Sequence, residues 1–314
     1  MSILVTGGTG FIGAYIIREL LNSKHEEQII VYDVLPDKRM LGINTNKIRI
    51  VRGDVLDFAK LCKTIKDFDI DRIIHLAYLL IDACELEPWN AVRVNCEGVV
   101  NIFEIARIFD IKKIVMASST GVYGPAKYYG EDKFVNEDDV CLPTTIYGAC
   151  KVFNEFLGKK YIDNYGLDIV MLRPTIVYGL GRTRGGFTFA NDMIVYSLLK
   201  RPIEVPYGDQ ELDWVYVKDV ANAFIKALFH EKTRHHIFNI GGYRYTLREA
   251  ANIVSKRIPG AKITIKEGKL GWVSKYSIDR ARNELGYIPS FDLEKAIEDM
   301  LSLWTSGEFR WLYQ

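Results

Sequence analysis

The sequence lacks the features that mark several classes of protein. No apolar run approaches the length of a membrane span. Basic and acidic side chains number 41 and 40, so no excess of one sign favours nucleic acid or an anionic membrane as a partner. The first predicted strand begins at residue 2 or 3, which leaves no room for a signal peptide. We therefore expect a cytoplasmic protein that acts on a small molecule.

The chain has few cysteines, and their spacing predicts neither a disulfide framework nor a zinc site. Five cysteines are an odd number, and none of them forms a C-x-x-C pair. They predict reduced thiols rather than a disulfide frame or a zinc site, and we expect no bound metal. The adjacent His235 and His236 have no further ligands at metal spacing, so we interpret them as structural. The cysteines are Cys62, Cys84, Cys96, Cys141 and Cys150.

The totals are those of a globular enzyme. With 314 residues, 48% of them hydrophobic and 26% charged, the chain has room for one large or two closely joined domains. Strand and helix patterns alternate in the first half, which predicts an α/β fold with a doubly wound parallel sheet. We expect a Rossmann-type domain over 1–174, completed by 213–240. A smaller C-terminal α/β substrate lobe is expected from 175–212 and 241–314.

The motif that organises the chain is Thr6-Gly7-Gly8-Thr9-Gly10-Phe11-Ile12-Gly13. It follows an apolar run at 3–5, typical of a buried strand, and precedes a helical pattern at 14–21. A strand, a glycine turn and a helix in that order build an anion site, since the backbone passes close to a pyrophosphate at a helix N-terminus. Glycines placed only for packing are the alternative.

An acidic residue supports the nucleotide interpretation. Asp33 ends a predicted strand at 29–32, about 20 residues beyond Gly13. A carboxylate there accepts bonds from ribose hydroxyls and repels a 2′-phosphate, which favours NAD over NADP. A solvated acid at a strand end is the alternative.

Several further polar residues follow predicted strands. In a doubly wound sheet the ligands bind beyond the carboxyl ends of the strands. The residues at such ends are Gly10, Asp33, Asp54, Ala77, Ser119 and Arg173. Their shared position predicts one site along a single edge of the sheet.

The pattern that carries chemistry is Tyr147-Gly148-Ala149-Cys150-Lys151. It places a phenol and an ammonium about one turn apart on one helix face. A phenol with a pKa of about 10 is a weak base at neutral pH, but a neighbouring ammonium and a positive nicotinamide favour the phenolate. That phenolate can take a proton from an alcohol while hydride leaves, and Ser119 is placed to bond the same oxygen. A packed aromatic beside a solvated lysine is the alternative.

From residue 2 to about 300 the chain resembles the extended short-chain dehydrogenases/reductases, the NAD-dependent epimerase/dehydratase group. The resemblance rests on seven motifs: T-G-G-T-G-F-I-G (6–13), G-D-V (53–55), H-L-A (75–77), V-N-C-E-G-V-V-N (94–101), S-S-T-G-V-Y-G (118–124), Y-G-A-C-K (147–151) and R-P-T-I-V-Y-G (173–179).

The resemblance implies an NAD site. Gly7, Gly10, Phe11 and Ile12 would line the pyrophosphate, Asp33 would hold the adenine ribose, and Asp54 and Val55 would flank the adenine. The nicotinamide half would lie near Leu76, Ala77, Asn95 and Ala117, with Pro174 and Thr175 bordering the ring. Lys151 would bond the nicotinamide ribose. The resemblance also implies a homodimer formed through the helices at 90–109 and 146–165, although their apolar faces could equally be ordinary core.

Departures from the family's subgroups concern the substrate. Dehydratases carry an Asp-Glu pair where this chain has Thr120 and Gly121, so 4,6-dehydration is not expected. Nucleotide-sugar epimerases carry an Asn and an Arg for the diphosphate where this chain has Ile176 and Leu212. A diphosphate without those partners would be a poorly paired dianion, at a cost of several kcal/mol.

Two arginines could compensate. Arg182 and Arg184 lie in a glycine-rich loop after the sixth predicted strand, and a guanidinium suits a carboxylate or phosphate. Solvated loop arginines are the equal alternative. The stretches at 121–125 and 272–279 are also similar to short-chain L-threonine dehydrogenases. We interpret His75 as a packed strand residue, and Tyr128 and Tyr129 as part of either a lid or an inert turn.

Three functions follow. The first is NAD-dependent oxidation of a secondary alcohol on a sugar, sugar acid or small hydroxy or amino acid, with Tyr147, Lys151 and Ser119 as catalytic residues. Ser119, Thr120, Tyr147, Ile176, Arg182 and Arg184 are the candidate substrate contacts. The second is a UDP-glucose-type 4-epimerase that uses bound NAD transiently. The third, a non-catalytic NAD sensor, ranks lower because Tyr147 and Lys151 are both present.

Overall fold

The computed structural model describes residues 1–23, 25–42, 46–130 and 132–314. Within these described ranges, twelve strands form three sheets: β1 Ser2–Thr6, β2 Gln28–Asp33, β3 Ile48–Arg52, β4 Ile70–His75, β5 Lys113–Ala117, β6 Ile169–Pro174, β7 Ile176–Tyr178, β8 Pro202–Val205, β9 Glu211–Tyr216, β10 Ile237–Ile240, β11 Tyr243–Thr246 and β12 Lys262–Ile265. The α-helices are α1 Phe11–Asn22, α2 Lys38–Leu41, α3 Phe58–Asp67, α4 Ile81–Leu86, α5 Pro88–Val92, α6 Gly98–Ile108, α7 Ile146–Tyr165, α8 Thr188–Leu198, α9 Val217–Phe229, α10 Leu247–Arg257, α11 Asp279–Leu285 and α12 Leu293–Thr305.

The central sheet has seven parallel strands in the order β10-β6-β5-β4-β1-β2-β3. This order reverses beside β1, as it does in doubly wound folds, so the predicted fold class is confirmed. The other sheets are small, with the orders β11-β9-β7 and β12-β8. The predicted lobe boundaries stay a prediction.

Two apolar cores cover the two faces of the central sheet. Along β1, Ile3 and Val5 join one core and Leu4 joins the other, because alternate side chains of a strand point to opposite faces. All five residues of β1 are buried. Burial on both faces explains why the central strands are continuous apolar runs rather than alternating ones.

One predicted helix is interrupted. The sequence predicts a single helix over 90–109, but α5 and α6 are separated by a π-helical segment, Arg93–Glu97. The wider turn lets the carbonyl of Asn95 accept a hydrogen bond of 2.8 Å from the Asn154 side chain on α7. A contact from a distant helix thus overrides the local periodicity.

The sequence does not predict several of the short helices and strands. Helices α2 and α4 and strands β7, β8 and β11 have three to six residues each, too few to show a period. Apart from a 3-10 turn at Ala126–Tyr128, the described residues of 125–145 form a loop. No described helix is long and apolar enough to cross a membrane.

Candidate active site

The predicted site residues lie along the carboxyl edge of the central sheet. The glycine loop follows β1, Asp33 ends β2, and the other candidates follow β3, β4, β5 and β6. Neighbouring parallel strands end side by side, so these segments line one crevice. The residues following β3, β4, β5 and β6 include Asp54 and Val55, Leu76 and Ala77, Ser119, and Thr175.

The glycine loop is tightly built. Gly7 has φ +64°, and a Cβ there would lie 2.9 Å from the carbonyl group of Leu76. A Cβ on Gly13 would lie 2.6 Å from the Gly7 oxygen, so helix α1 packs directly on the loop. Gly10 is the N-cap of α1, and no side chain caps its N-terminus. The amides of the first turn, which includes Phe11 and Ile12, are thus available to an anion.

Asp33 is oriented by that loop. Its Oδ2 accepts hydrogen bonds from the Thr9 amide (3.1 Å) and hydroxyl (2.7 Å), and its Oδ1 accepts one of 3.2 Å from the Leu35 amide. The exposed Asp54 and the buried Val55 follow the next strand. The carboxylate of Asp33 is therefore fixed beside the anion site, which fits a nucleotide whose ribose adjoins its pyrophosphate.

Tyr147 and Ser119 come together as the sequence predicts. Thr145 caps α7 by accepting a hydrogen bond of 3.0 Å from the Gly148 amide, and this places Tyr147 in the first helical turn. Ser119, two residues beyond β5, lies beside Tyr147: a Cβ on Gly121 would lie 3.2 Å from the Ser119 hydroxyl and 3.7 Å from the Tyr147 ring. Burial raises the pKa of Tyr147 to about 12, and the Ser119 hydroxyl opposes that rise. The predicted lowering by Lys151 is not among these influences and stays a prediction.

Lys151 is fully buried on α7. Its Nζ donates a hydrogen bond of 2.6 Å to the Ala117 carbonyl and lies 5.2 Å from the centre of the Tyr147 ring. The Tyr78 ring is closer, with its centre 2.9 Å from Nζ. Burial lowers the pKa of Lys151, whereas the nearby Cys150 and Glu155 raise it. The ammonium thus lies between the end of β5 and an aromatic face.

Tyr78 was not found by the sequence analysis. It follows Ala77 beyond β4, and its ring packs edge-on against His75 with the ring centres 4.7 Å apart. The Tyr78 hydroxyl and the His75 Nε2 are buried, and among the described residues neither has a hydrogen-bond partner. The aromatic residue directly after the H-L-A motif at 75–77 is the feature of the sequence that could have indicated Tyr78. A buried unpartnered hydroxyl beside Lys151 is a group that a ligand could satisfy.

Beneath the site lies a buried charged network. Glu155, one turn after Lys151, receives two hydrogen bonds from Arg173, Nε to Oε1 at 2.7 Å and Nη2 to Oε2 at 2.6 Å. The Ser118 hydroxyl also donates to Glu155, and Arg173 Nη1 bonds the Tyr123 hydroxyl at 2.6 Å. Burial alone would lower the pKa of Arg173. Its hydrogen bonds to Glu155 and the charge of that carboxylate outweigh burial, so the pKa is raised overall. The network joins α7 to the ends of β5 and β6.

Other predicted site residues form hydrogen bonds within the protein. Asn95 accepts a bond of 2.8 Å from the Leu79 amide and donates one of 3.0 Å to the Leu79 carbonyl, which holds the segment after β4. The Thr120 hydroxyl donates to the Pro174 carbonyl at 3.2 Å. Thr175 donates to the buried Asp213 at 2.7 Å, and burial raises the pKa of Asp213 to about 6.

The positions discussed for substrate binding offer little positive charge that is free to bind a ligand. Leu212 is buried and Ile176 half-buried on neighbouring strands of the small sheet. Arg182 is directed into the protein, where it donates to the carbonyls of Val177 and Gly186, and burial lowers its pKa to about 10. Arg184 is exposed.

The loop that carries these arginines lies beside the segment that follows β4. A Cβ on Gly185 would lie 3.3 Å from the Leu80 side chain, and one on Gly186 would lie 3.1 Å from Ile81. Within the described residues no group of three or more His, Cys, Asp or Glu side chains is arranged to hold a metal ion.

Comparisons agree with this geometry. The model of the NAD dependent epimerase/dehydratase family matches residues 3–241. A putative UDP-glucose 4-epimerase of Methanocaldococcus jannaschii is 32% identical, over 96% of this chain and 97% of the relative.

Two solved structures are similar over nearly the whole chain. Thermus thermophilus UDP-glucose 4-epimerase in complex with NAD has a TM-score of 0.84 and 26% identity, and the match covers 99% of each chain. L-Threonine dehydrogenase from Clostridium difficile has a TM-score of 0.85 and 26% identity, and the match covers 98% of each chain.

Proposed function

Because the chain belongs to the NAD-dependent epimerase/dehydratase family, and so is an NAD-dependent enzyme, we propose that it removes hydride from a secondary alcohol with Tyr147 as the base. The substrate class is a sugar, a sugar acid or a small hydroxy or amino acid. The observation that carries the proposal is the position of Tyr147 beside Ser119, one turn from Lys151, at the sheet edge that the glycine loop and Asp33 share.

The glycine loop, Asp33 and Lys151 would hold the dinucleotide. The cradle fits, since Gly7 and Gly13 leave no space for a Cβ and the first turn of α1 has no side-chain cap. Asp33 would accept bonds from the adenine ribose, and Lys151 would donate to the nicotinamide ribose. Bound NAD supplies the hydride acceptor.

The remaining predicted cofactor contacts follow the strand ends. Leu76, Ala77 and Ala117 would border the nicotinamide half with Asn95, Pro174 and Thr175, and Asp54 and Val55 would flank the adenine.

The protein's own part in the reaction is to hold and move one proton. Ser119 donates a hydrogen bond to the substrate oxygen, and the Tyr147 phenolate accepts the hydroxyl proton from it. Burial keeps the phenol protonated at neutral pH, since its pKa is about 12. A positive charge on Lys151 and the positive charge of the nicotinamide would both favour the phenolate. Activity should therefore rise with pH as the phenol deprotonates.

The lining of the substrate side favours a small substrate. Leu212 and Ile176 offer no hydrogen bond to a diphosphate, and Arg182 is bonded to backbone carbonyls. Arg184 is the exposed cation of the loop that packs beside Leu80 and Ile81. We assign it to a substrate carboxylate, which a guanidinium binds through two parallel bonds.

A second candidate function is 4-epimerisation of a nucleotide sugar. It is favoured by the 32% identity to a putative UDP-glucose 4-epimerase. The same Tyr147 and Ser119 would act, but the hydride would return to the opposite face of the sugar and no NADH would be released.

Substitution of the phenol tests both functions. Tyr147→Phe should lower turnover by about 10²- to 10⁴-fold, the usual contribution of a general base, with NAD still bound. Tyr128→Phe, on an exposed turn, is the matched control. Absorbance of NADH at 340 nm with a panel of alcohols, and chromatography of UDP-sugars, separate the two reactions. Full activity of Tyr147→Phe with NAD bound would remove both.

We also propose a homodimer formed through α5 and α7. Trp89, Val92, Phe153 and Phe156 are large exposed apolar side chains on these helices, which lie against one another. Contiguous exposed apolar surface marks association sites. Phe156→Lys should give a monomer by light scattering at concentrations where the wild type is dimeric. The matched control is Ile288→Lys, at an exposed apolar side chain in the segment before α12. A monomeric wild type would contradict the proposal.

A further inference from the structure

The face of the Tyr78 ring lies against the Lys151 ammonium, with the ring centre 2.9 Å from Nζ. A cation is attracted to the negative face of an aromatic ring when it lies within about 6 Å of the ring centre, so this pair is at close range. Among the described residues, Nζ has one hydrogen-bond acceptor, the Ala117 carbonyl at 2.6 Å. The ring therefore gives this fully buried cation a second direct contact.

The acidic group on the same helix is engaged elsewhere. Both carboxylate oxygens of Glu155 accept hydrogen bonds from Arg173, at 2.7 and 2.6 Å, and the Ser118 hydroxyl donates to it as well. The charge of Glu155 favours the Lys151 ammonium from a distance. A buried charge without contacts that compensate for lost water is costly. Direct compensation at Nζ thus comes from the Ala117 carbonyl and the Tyr78 ring.

The Tyr78 ring is itself held from two sides. The His75 ring packs edge-on against it, with the ring centres 4.7 Å apart, and His75 Nδ1 is hydrogen-bonded at 2.7 Å to the Thr6 hydroxyl on β1. The next residue, Leu79, exchanges two backbone hydrogen bonds of 2.8 and 3.0 Å with the Asn95 side chain. The ring is therefore a fixed wall beside Lys151, since its neighbours in the fold and along the chain are both anchored.

We propose that Tyr78 is a positioning residue, whose ring face holds the Lys151 ammonium charged and oriented for the nicotinamide ribose of NAD. An ammonium has three N–H donors. The Ala117 carbonyl takes one and the ring face a second, which directs the third to a further acceptor. The inference rests on the proposed function, in which Lys151 binds that ribose. The Tyr78 hydroxyl takes no part in this role.

Loss of the ring face should make the charged form of Lys151 less stable. NAD affinity should decline with rising pH as the lysine loses its proton, and without the ring this decline should begin about 0.4–1.5 pH units lower, the equivalent of one cation–π contact. Other titratable groups also face Lys151, and they stay in place when only residue 78 is changed. They are Tyr147, Cys150 and Glu155 on α7, Cys84 on α4, Cys96 in the π-helical segment and His75 on β4.

Calorimetric titration with NAD between about pH 6 and 10 tests the role of the ring without any substrate. Tyr78→Leu should move the decline in affinity to lower pH, whereas Tyr78→Phe, which keeps the ring, should follow the wild type. The matched control is Tyr128→Leu, which removes an exposed ring whose centre is 5.1 Å from the Lys127 Nζ and should leave the profile unchanged. A wild-type profile for Tyr78→Leu, or an equal displacement for Tyr78→Phe, would overturn the proposal.

Two further proteins keep the test decisive if Tyr78→Leu does not fold. Replacement of Tyr78 by a ring-fluorinated phenylalanine preserves the shape of Tyr78→Phe but withdraws electrons from the ring face, so the decline should again move to lower pH. Lys151→Met should abolish the decline. If Lys151→Met keeps the wild-type profile, the proposed role of the lysine and this inference fail together. If Lys151→Met abolishes it but the fluorinated ring changes nothing, the role of Tyr78 alone is refuted.

Discussion

Removal of the buried arginine should be among the most destabilising single changes near the site. Arg173 and Glu155 are 2% and 5% exposed, and among the described residues Arg173→Met would leave the buried Glu155 carboxylate with only the Ser118 hydroxyl as a donor. The loss of one partner from a buried ion pair costs about 3–5 kcal/mol. We expect the free energy of unfolding to fall by that amount. The measurement is urea denaturation followed by circular dichroism.

Two further variants separate burial from charge. Arg107→Met removes a similar pair with Glu104, but the side chains there are 41% and 28% exposed, so the cost should stay within about 1 kcal/mol. Arg173→Met combined with Glu155→Leu removes both charges and should recover more than half of the single-variant loss, because no charge is left stranded. Equal costs for Arg173→Met and Arg107→Met, or a double variant as unstable as the sum of its singles, would refute the reasoning.

The remaining predictions concern two side chains beside Lys151. Burial lowers the pKa of His75 to about 3, below its unfolded value of about 6.5, so stability should fall as the pH drops from 6.5 towards 3, by up to about 1.4 kcal/mol per pH unit. His75→Gln should flatten that slope in denaturation curves, and an unchanged slope would contradict the assignment. Tyr78→Phe removes a buried unpartnered hydroxyl and should stabilise the cofactor-free protein by about 1 kcal/mol. Tyr287→Phe, which loses a bond of 2.7 Å to the Gly241 carbonyl, should destabilise it by a similar amount. Melting temperatures that shift in the same direction would contradict the contrast.

The backbone of the site could be predicted because its signals are local. The glycine loop, Asp33 and the Tyr147–Lys151 spacing each depend on a few consecutive residues between elements with a clear period. The parallel sheet follows from the alternation of those elements. The structure confirms the fold class and places Tyr147 beside Ser119.

Contacts between distant residues could not be predicted. Nothing near Arg182 in the sequence shows that its guanidinium bonds the carbonyls of Val177 and Gly186 rather than facing solvent. The π-helical segment depends on Asn154, more than 50 residues away in the chain. The pairing of Glu155 with Arg173 likewise appears only once α7 packs against the end of β6.

The central sheet is finished by chain that comes late in the sequence. Strand β10 forms one edge of that sheet by pairing with β6, and α9 packs against α1, the helix that opens at the glycine loop. A fragment that stops at residue 174 would therefore expose the flank of β6 and one side of α1. Recombination that exchanges everything beyond that residue would remove β10 and α9, which cover the nucleotide-binding half. The C-terminal half therefore cannot be exchanged as a separate domain without disturbing the central sheet and α1.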